Sequence, residues 1–513
     1  MRCIFRAMST LTLLLSLLAC ADKQTSDTAE GATPAADDTA DLDGSTDETV
    51  ITDPTDDTGT TPPDDTSSPD DTGGAGETGD TAPVLTYPDL PTAGCGAPAY
   101  EWLPLEGMGA VIDFEKDETL SWEASVIDFA LSAYGLEAYG PVPYGVDVYR
   151  VRYVTQDRGQ QVEATGLVSV PVMDEPADVP LLLYAHPTMG FTGECAPSAT
   201  GLEGAAFNIL FAAMGFAVAT PDYLGMNGWG EPSDFLHPYA LGEPTAIASL
   251  DAMRAMLQFA DSEATNARPD PSNTVLWGAS EGGFAALWAD RYAPYYAPEF
   301  GIQGVVAAVP PTDLLGLAEV ATSYVSDTTW ALAGAFSTVN PWYGEPAPLS
   351  GVLTDEEPYY FATNLPLLLE DTCDDYDAAG SISVVEELYQ ADVAAALASG
   401  DYAGAEPFSC YLKESSLSDE RIPLASDTPV FIILAENDTL VHATPTRDDI
   451  PRLCEMGYRI QHLECAGAGH VDGAVDSLPN QWDWILDRVA GLPLEEACVI
   501  NPPEACVGIG LEL

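Results

Sequence analysis

The stretch VLWGASEGGFAAL places Ser280 between Gly278 and Gly282, the spacing G-x-S-x-G. A serine hydroxyl is a weak nucleophile near neutral pH; it needs a base to take its proton and an acid to orient that base. The motif alone is a weak signal. Its context strengthens it, because an apolar β-like run, SNTVLWGAS, leads in and a helical run, EGGFAALWADRYA, leads out. That strand–turn–helix is what a nucleophile elbow requires. The turn forces strained angles on the serine and demands small neighbours, which Gly278, Ala279, Gly282 and Gly283 supply. The helix start beside it favours developing negative charge.

The base has few candidates, since the chain holds five histidines. His470, in CAGAGHV, lies in a glycine-rich loop after an apolar strand and shortly before the last helix, and is the expected base. His462 lies within a strand, His442 just after the acid loop and His237 in FLHPYALGE; each is expected to serve structure. His186 opens HPTMG and is expected to brace that loop. The orienting acid should come from PVFIILAENDTLV, where Asp438 is expected over Glu436. An oxyanion needs backbone donors aimed at it in advance. One should be the N–H of Glu281, directly after the nucleophile. The second should come from HPTMG, from Thr188 or alternatively Met189, because Pro187 has no N–H.

These residues need elements to hold them. VDVYRVRYVTQD and QVEATGLVSVPV alternate like the two strands of a hairpin. VPLLLYAH is a continuous apolar run suited to a strand buried on both faces. GAAFNILFAAMG and PTAIASLDAMRAMLQFAD read as helices, FAVATPDYLG and IQGVVAAVPP as strands. Strand and helix signals resume at TPVFIILAEND, YRIQHLECAGAGH and NQWDWILDRV. Strands alternating with helices imply an α/β fold with a mostly parallel sheet covered on both faces. The alternation breaks over 312–427, which is helical in flavour and aromatic; this reads as a mainly helical cap inserted into a core of 95–311 and 428–513. In the cap, Trp330, Phe336, Trp342 and Tyr343 are candidates for an acyl pocket, with the cap's own core as the expected role.

The chain carries 82 acidic residues against 16 basic, a formal charge of −66. Nucleic acid and anionic membrane surfaces would both repel it. Residues 1–20, MRCIFRAMSTLTLLLSLLAC, read as a secretory signal, too short for a stable membrane span. Its end, LLAC, resembles the lipobox of bacterial lipoproteins; the resemblance implies lipidation of Cys20 and an exported chain anchored to the bacterial cell envelope, facing periplasm or exterior. Residues 21–94 are rich in Asp, Thr, Pro, Gly and Ser, with too few apolar residues to offset the entropy of ordering, and read as a disordered acidic tether. Of ten cysteines, eight remain beyond Cys3 and Cys20, an even number that suggests four disulfides in an exported chain. Proximity in sequence favours Cys498 with Cys506, Cys454 with Cys465, Cys373 with Cys410, and Cys95 with Cys195. No cysteine spacing resembles a zinc site, and no metal or other cofactor is expected.

HPTMGFTGECAPS, VATPDYLG, LDAMRAM, WGASEGG, AENDTLV and GAGHVDG together resemble the secretory lipase family of α/β-hydrolases, over roughly residues 100 to 495. The resemblance implies Ser280, Asp438 and His470 as a triad in the chain order of that fold, hydrolysis of carboxylic esters through an acyl-enzyme without metal, and a cap between the sixth and seventh strands. Family members usually read H-G-T-T-G where this chain has proline at 187, so the oxyanion loop is the point of departure, with the donor at Thr188 retained. The expected partner is a small-molecule or lipid ester substrate, with the membrane reached through the N-terminal lipid; no protein or nucleic-acid partner is expected. A serine peptidase on the same scaffold and a non-enzymatic binding protein are the competing classes.

Overall fold

The computed structural model describes residues 85–133, 141–263, 265–373 and 381–506. The expectations for the signal, Cys20 and nearly all of the tether lie outside the described residues. The sheet has nine strands in the order β1-β2-β3-β5-β4-β6-β7-β8-β9. They are β1 (Val111–Lys116), β2 (Gly145–Asp157), β3 (Gln160–Val172), β4 (Ala177–Ala185), β5 (Ala217–Pro221), β6 (Ala267–Ala279), β7 (Ile302–Ala308), β8 (Pro429–Ala435) and β9 (Arg459–Cys465). The pairs β1–β2, β2–β3 and β3–β5 are antiparallel; all others are parallel. The β2–β3 hairpin turns on Arg158 and Gly159, both at positive φ (46° and 69°), the twist that a two-residue hairpin prefers.

Period-2 alternation divides the strands between two cores. In β7, Val305 and Ala307 face one core, and Val306 and Ala308 the other. The first core packs under α3 (Gly242–Ser262), α4 (Glu281–Tyr296) and α10 (Ala443–Glu455). The second packs under α1 (Ala124–Ala133), α2 (Leu202–Ala213) and α12 (Leu478–Val489). Both faces are therefore covered, and the parallel strands need apolar residues on both sides. That is why they read as unbroken apolar runs.

Between β7 and β8 the chain leaves the sheet for α5 (Leu314–Ser323), α6 (Asp327–Trp342), α7 (Phe361–Asp371), α8 (Ala391–Ala398) and α9 (Phe408–Ser415). Counted from the first described strand, this insertion follows the seventh rather than the sixth, because the edge strand β1 precedes the hairpin.

The cysteine pairing differs from the proximity expectation at all four bonds. The disulfides are Cys95–Cys410, Cys195–Cys373, Cys454–Cys498 and Cys465–Cys506. The reason is the path of the tail. Residues 498–506 run parallel to β9, bridging Gln461 to Val499 and Cys465 to Glu504. A cysteine at each end of that run meets a core cysteine beside it, and the tail covers an otherwise open sheet edge. The other two bonds tie the cap to distant segments, 315 and 178 residues away in sequence.

Candidate active site

Ser280 sits between the end of β6 and the start of α4 at φ 57°, ψ −123°, outside the regions open to ordinary L-residues. Its N–H donates to the Ala308 carbonyl at 2.8 Å, which holds the turn against β7. The flanking glycines are required by close approach: a Cβ on Gly278 would strike the Gly282 carbonyl, and one on Gly282 would strike the Ala185 carbonyl. The nucleophile turn therefore rests directly on the end of β4, where the HPTMG loop begins.

The three residues proposed from sequence meet here. His470 Nε2 lies 2.9 Å from Ser280 Oγ, and its Nδ1 lies 2.6 Å from Asp438 Oδ2. His470 is the first residue of a short helix, α11 (His470–Asp476), rather than part of an extended loop. Asp438 is buried, and its Oδ1 accepts the N–H groups of Leu440 and Val441 at 2.9 and 2.8 Å. One oxygen is thus fixed by backbone and the other is left for the imidazole. The rival acid, Glu436, is exposed and accepts the Gly467 N–H at 2.7 Å, pinning the loop that precedes His470.

The other histidines have partners of their own. His442 Nε2 meets the Tyr324 hydroxyl at 3.2 Å. His462 is buried in β9, and its Nδ1 accepts the Asn501 N–H at 3.2 Å. His186 stacks on Tyr223, with ring centroids 4.1 Å apart, and its Nδ1 donates to the Pro187 carbonyl at 2.7 Å. Burial pushes the His186 imidazole down to about 4, so it is neutral near pH 7. His237 is buried and faces Glu281, a pairing that sequence spacing gave no signal for.

Glu281 opens α4, so its backbone N–H has no acceptor within the helix. Thr188 Oγ1 donates to the Tyr239 hydroxyl at 3.2 Å. Met189 packs its side chain with Cys195, Ala196 and Met226. Gly190, at φ 127°, closes the loop against the Cys195–Cys373 bond, where a Cβ would collide with Cys195.

An apolar pocket opens at Ser280. One wall is a face of α6: Thr328, Ala331, Leu332, Ala335, Phe336 and Val339 recur at helical spacing. Of the four cap aromatics singled out from sequence, Phe336 alone lines the pocket. Trp330 packs edge-on against Phe361, Trp342 Nε1 donates to Asp157, and Tyr343 stacks on Tyr411. The start of α6 is bound to the acid loop, with Thr328 Oγ1 donating to the Leu440 carbonyl at 2.7 Å and Thr439 Oγ1 to Asp327 at 2.9 Å.

Comparison with known proteins finds similarity to lipases and esterases. Residues 195–341 match the family described as secretory lipase. Lipase A of Arthroderma benhamiae is 25% identical over 292 residues, 55% of each chain. A Mycobacterium tuberculosis protein named a probable inactive lipase is 27% identical over 383 residues, 70% of this chain and 77% of its own. The chain spans about half the length of the fungal relatives it matches, 55% for Lipase A and 57% for Lipase 5 of Candida albicans. Among solved structures, the rice cell wall degrading esterase LipA of Xanthomonas oryzae superposes with a TM-score of 0.58 at 19% identity, covering 75% of this chain and 97% of that one. Candida antarctica lipase A in its closed state gives 0.56 at 18%, covering 78% and 87%. Both carry the α/β-hydrolase fold expected from the motifs.

Proposed function

We propose that the chain is a serine hydrolase of carboxylic esters, with Ser280 as nucleophile, His470 as base and Asp438 as its orienting acid; its similarity to secretory lipases and to esterases of the α/β-hydrolase fold supports this reading. The observation that carries this reading is the continuous chain of contacts Oγ–Nε2 and Nδ1–Oδ2, at 2.9 and 2.6 Å. One relative is named as inactive; in this chain all three side chains are present and in contact.

The reaction proceeds in two halves. Ser280 Oγ attacks the ester carbonyl carbon as His470 Nε2 takes its proton. The carbonyl oxygen becomes an oxyanion, held by the N–H of Glu281 and that of Thr188 or Met189. The intermediate collapses, the C–O bond to the alcohol breaks, and His470 gives its proton to the departing oxygen. Water then attacks the acyl-enzyme with His470 again as base, releasing the acid and restoring Ser280. The α6 face takes the acyl chain, since it walls the apolar pocket that opens at the serine.

Upstream, Cys20 is the lipidated residue and the tether to a cell envelope runs from 21 to a point before Leu90 rather than to 94, since Leu90 and Ala93 are buried in the core. The test of the activity offers the full chain p-nitrophenyl esters of graded length beside aminoacyl anilides. Ester turnover that disappears in Ser280→Ala is the expected result. Anilide turnover with feeble ester turnover would instead favour the peptidase, and turnover surviving in Ser280→Ala would remove the proposed nucleophile.

A further inference from the structure

The residue after the nucleophile is a glutamate whose side chain is 2% exposed. A bare carboxylate there would oppose the negative charge that forms on the substrate carbonyl a few ångströms away. What surrounds it removes that conflict. His237 Nε2 lies 2.7 Å from Glu281 Oε1, and His237 Nδ1 lies 2.9 Å from the Leu224 carbonyl. The carbonyl can only accept, so Nδ1 carries hydrogen. Two lone pairs cannot face each other at 2.7 Å, so a second proton lies between Nε2 and Oε1. Whichever atom holds it, the pair has no net charge.

The pair is also mechanically fixed. His237 donates its backbone N–H to the Phe191 carbonyl at 3.0 Å, just past the HPTMG loop. Its ring stacks on Tyr223 at 5.3 Å, and Tyr223 stacks on His186 at 4.1 Å. The Tyr223 hydroxyl donates to the His186 carbonyl at 2.9 Å, and Tyr223 itself is held at φ 63°. A Cβ on Gly225 would collide with the His237 backbone, so the β5 loop lies directly against it. One buried stack, His237–Tyr223–His186, thus joins the first turn of α4 to the loop that carries Thr188.

We propose that the His237–Glu281 pair is a positioning device for the oxyanion site: it cancels the charge of the residue beside the nucleophile and, through Tyr223 and His186, holds the two donor segments in register. This inference rests on the ester-hydrolase reading and adds to it. His237 touches no reacting atom, so its effect must travel through Glu281. The interaction stabilises charge that exists only in the transition state, so its loss should lower kcat and leave KM nearly unchanged.

The experiment measures p-nitrophenyl butyrate hydrolysis by the native chain and by His237→Phe, His237→Gln, Glu281→Leu and His237→Phe/Glu281→Leu, each checked for native far-UV dichroism. Loss of a whole oxyanion donor costs about 10²–10³-fold, and a misaligned one should cost less. His237→Phe and Glu281→Leu are each expected to lower kcat by about 10–100-fold with KM within about twofold. The double variant should be no worse than either single one, because both break the same contact. His237→Gln retains a donor toward Glu281 but not the second proton that cancels its charge, so its kcat should lie between that of His237→Phe and that of the native chain. If His237→Phe does not fold, Glu281→Leu against His237→Gln makes the same comparison. A loss carried by KM, additive single losses, or kcat within threefold of native in folded His237→Phe or folded Glu281→Leu would overturn the proposal. A native chain that hydrolyses no ester would instead overturn the activity reading itself.

Discussion

At the scale of single residues, the site depends on atoms with no alternative partner. Asp438 gives one oxygen to two backbone donors and the other to His470. Replacing it with asparagine keeps the volume but offers an N–H or a carbonyl where a carboxylate stood, so the imidazole can settle in the wrong tautomer. Asp438→Asn is expected to lower kcat by about 10³–10⁴-fold while thermal unfolding stays cooperative; a loss under tenfold would mean that Asp438 does not orient the base. The convergence of Ser280, Asp438 and His470 was readable because G-x-S-x-G and the loops around Asp438 and His470 carry their signals in local sequence. The His237–Glu281 contact was not, since its partners are 44 positions apart and neither sits in a motif that names the other.

At the scale of elements, the open sheet was legible wherever burial was two-sided, because apolar runs such as Val430–Ala435 have no other use. The cap was legible as an interruption but not as a surface. Its four aromatics were candidates for the pocket with packing as the expected role; three do pack inside the cap or on the core, and Phe336 alone joins the α6 face that forms the wall. Composition cannot reveal which side of a helix faces a cavity when both sides are buried. That wall makes a specific prediction. Ala335→Trp introduces a large ring into the pocket and should lower kcat/KM for p-nitrophenyl palmitate by at least about tenfold relative to the acetate, since each excluded methylene forfeits about 0.8 kcal/mol of burial. Equal effects on both esters would put the acyl chain elsewhere.

At the scale of the whole molecule, long-range staples and buried acids govern stability. Disulfide partners were illegible because they depend on where the tail and cap run, which proximity in sequence does not encode. Glu243, at the start of α3, accepts from Tyr100 of the N-terminal segment and lies 4.0 Å from Arg421. Burial outweighs the hydrogen bond and the arginine, and pushes its carboxyl up from 4.5 to about 7. Burial likewise raises Asp222, Asp251 and Asp290 to about 6. A folded-state value above the unfolded one means that the folded chain binds more protons. The stabilisation is complete below the unfolded value and is lost as pH rises through the folded one. Stability should therefore fall from about pH 4.5 to about pH 7 because of Glu243, in the same direction as self-repulsion from a charge of −66. Glu243→Gln should flatten urea-unfolding free energies across that window; an unchanged slope would mean that Glu243 ionises alike in both states.

The central claim is that Ser280 is a nucleophile made reactive by His470. Its most direct measurement is covalent: the full chain treated with a fluorophosphonate, digested, and the adduct located by mass spectrometry. The account predicts one adduct, on the peptide containing Ser280, formed at least about a hundredfold more slowly in His470→Ala. An unlabelled protein, or an adduct on another serine with Ser280 intact, would contradict it.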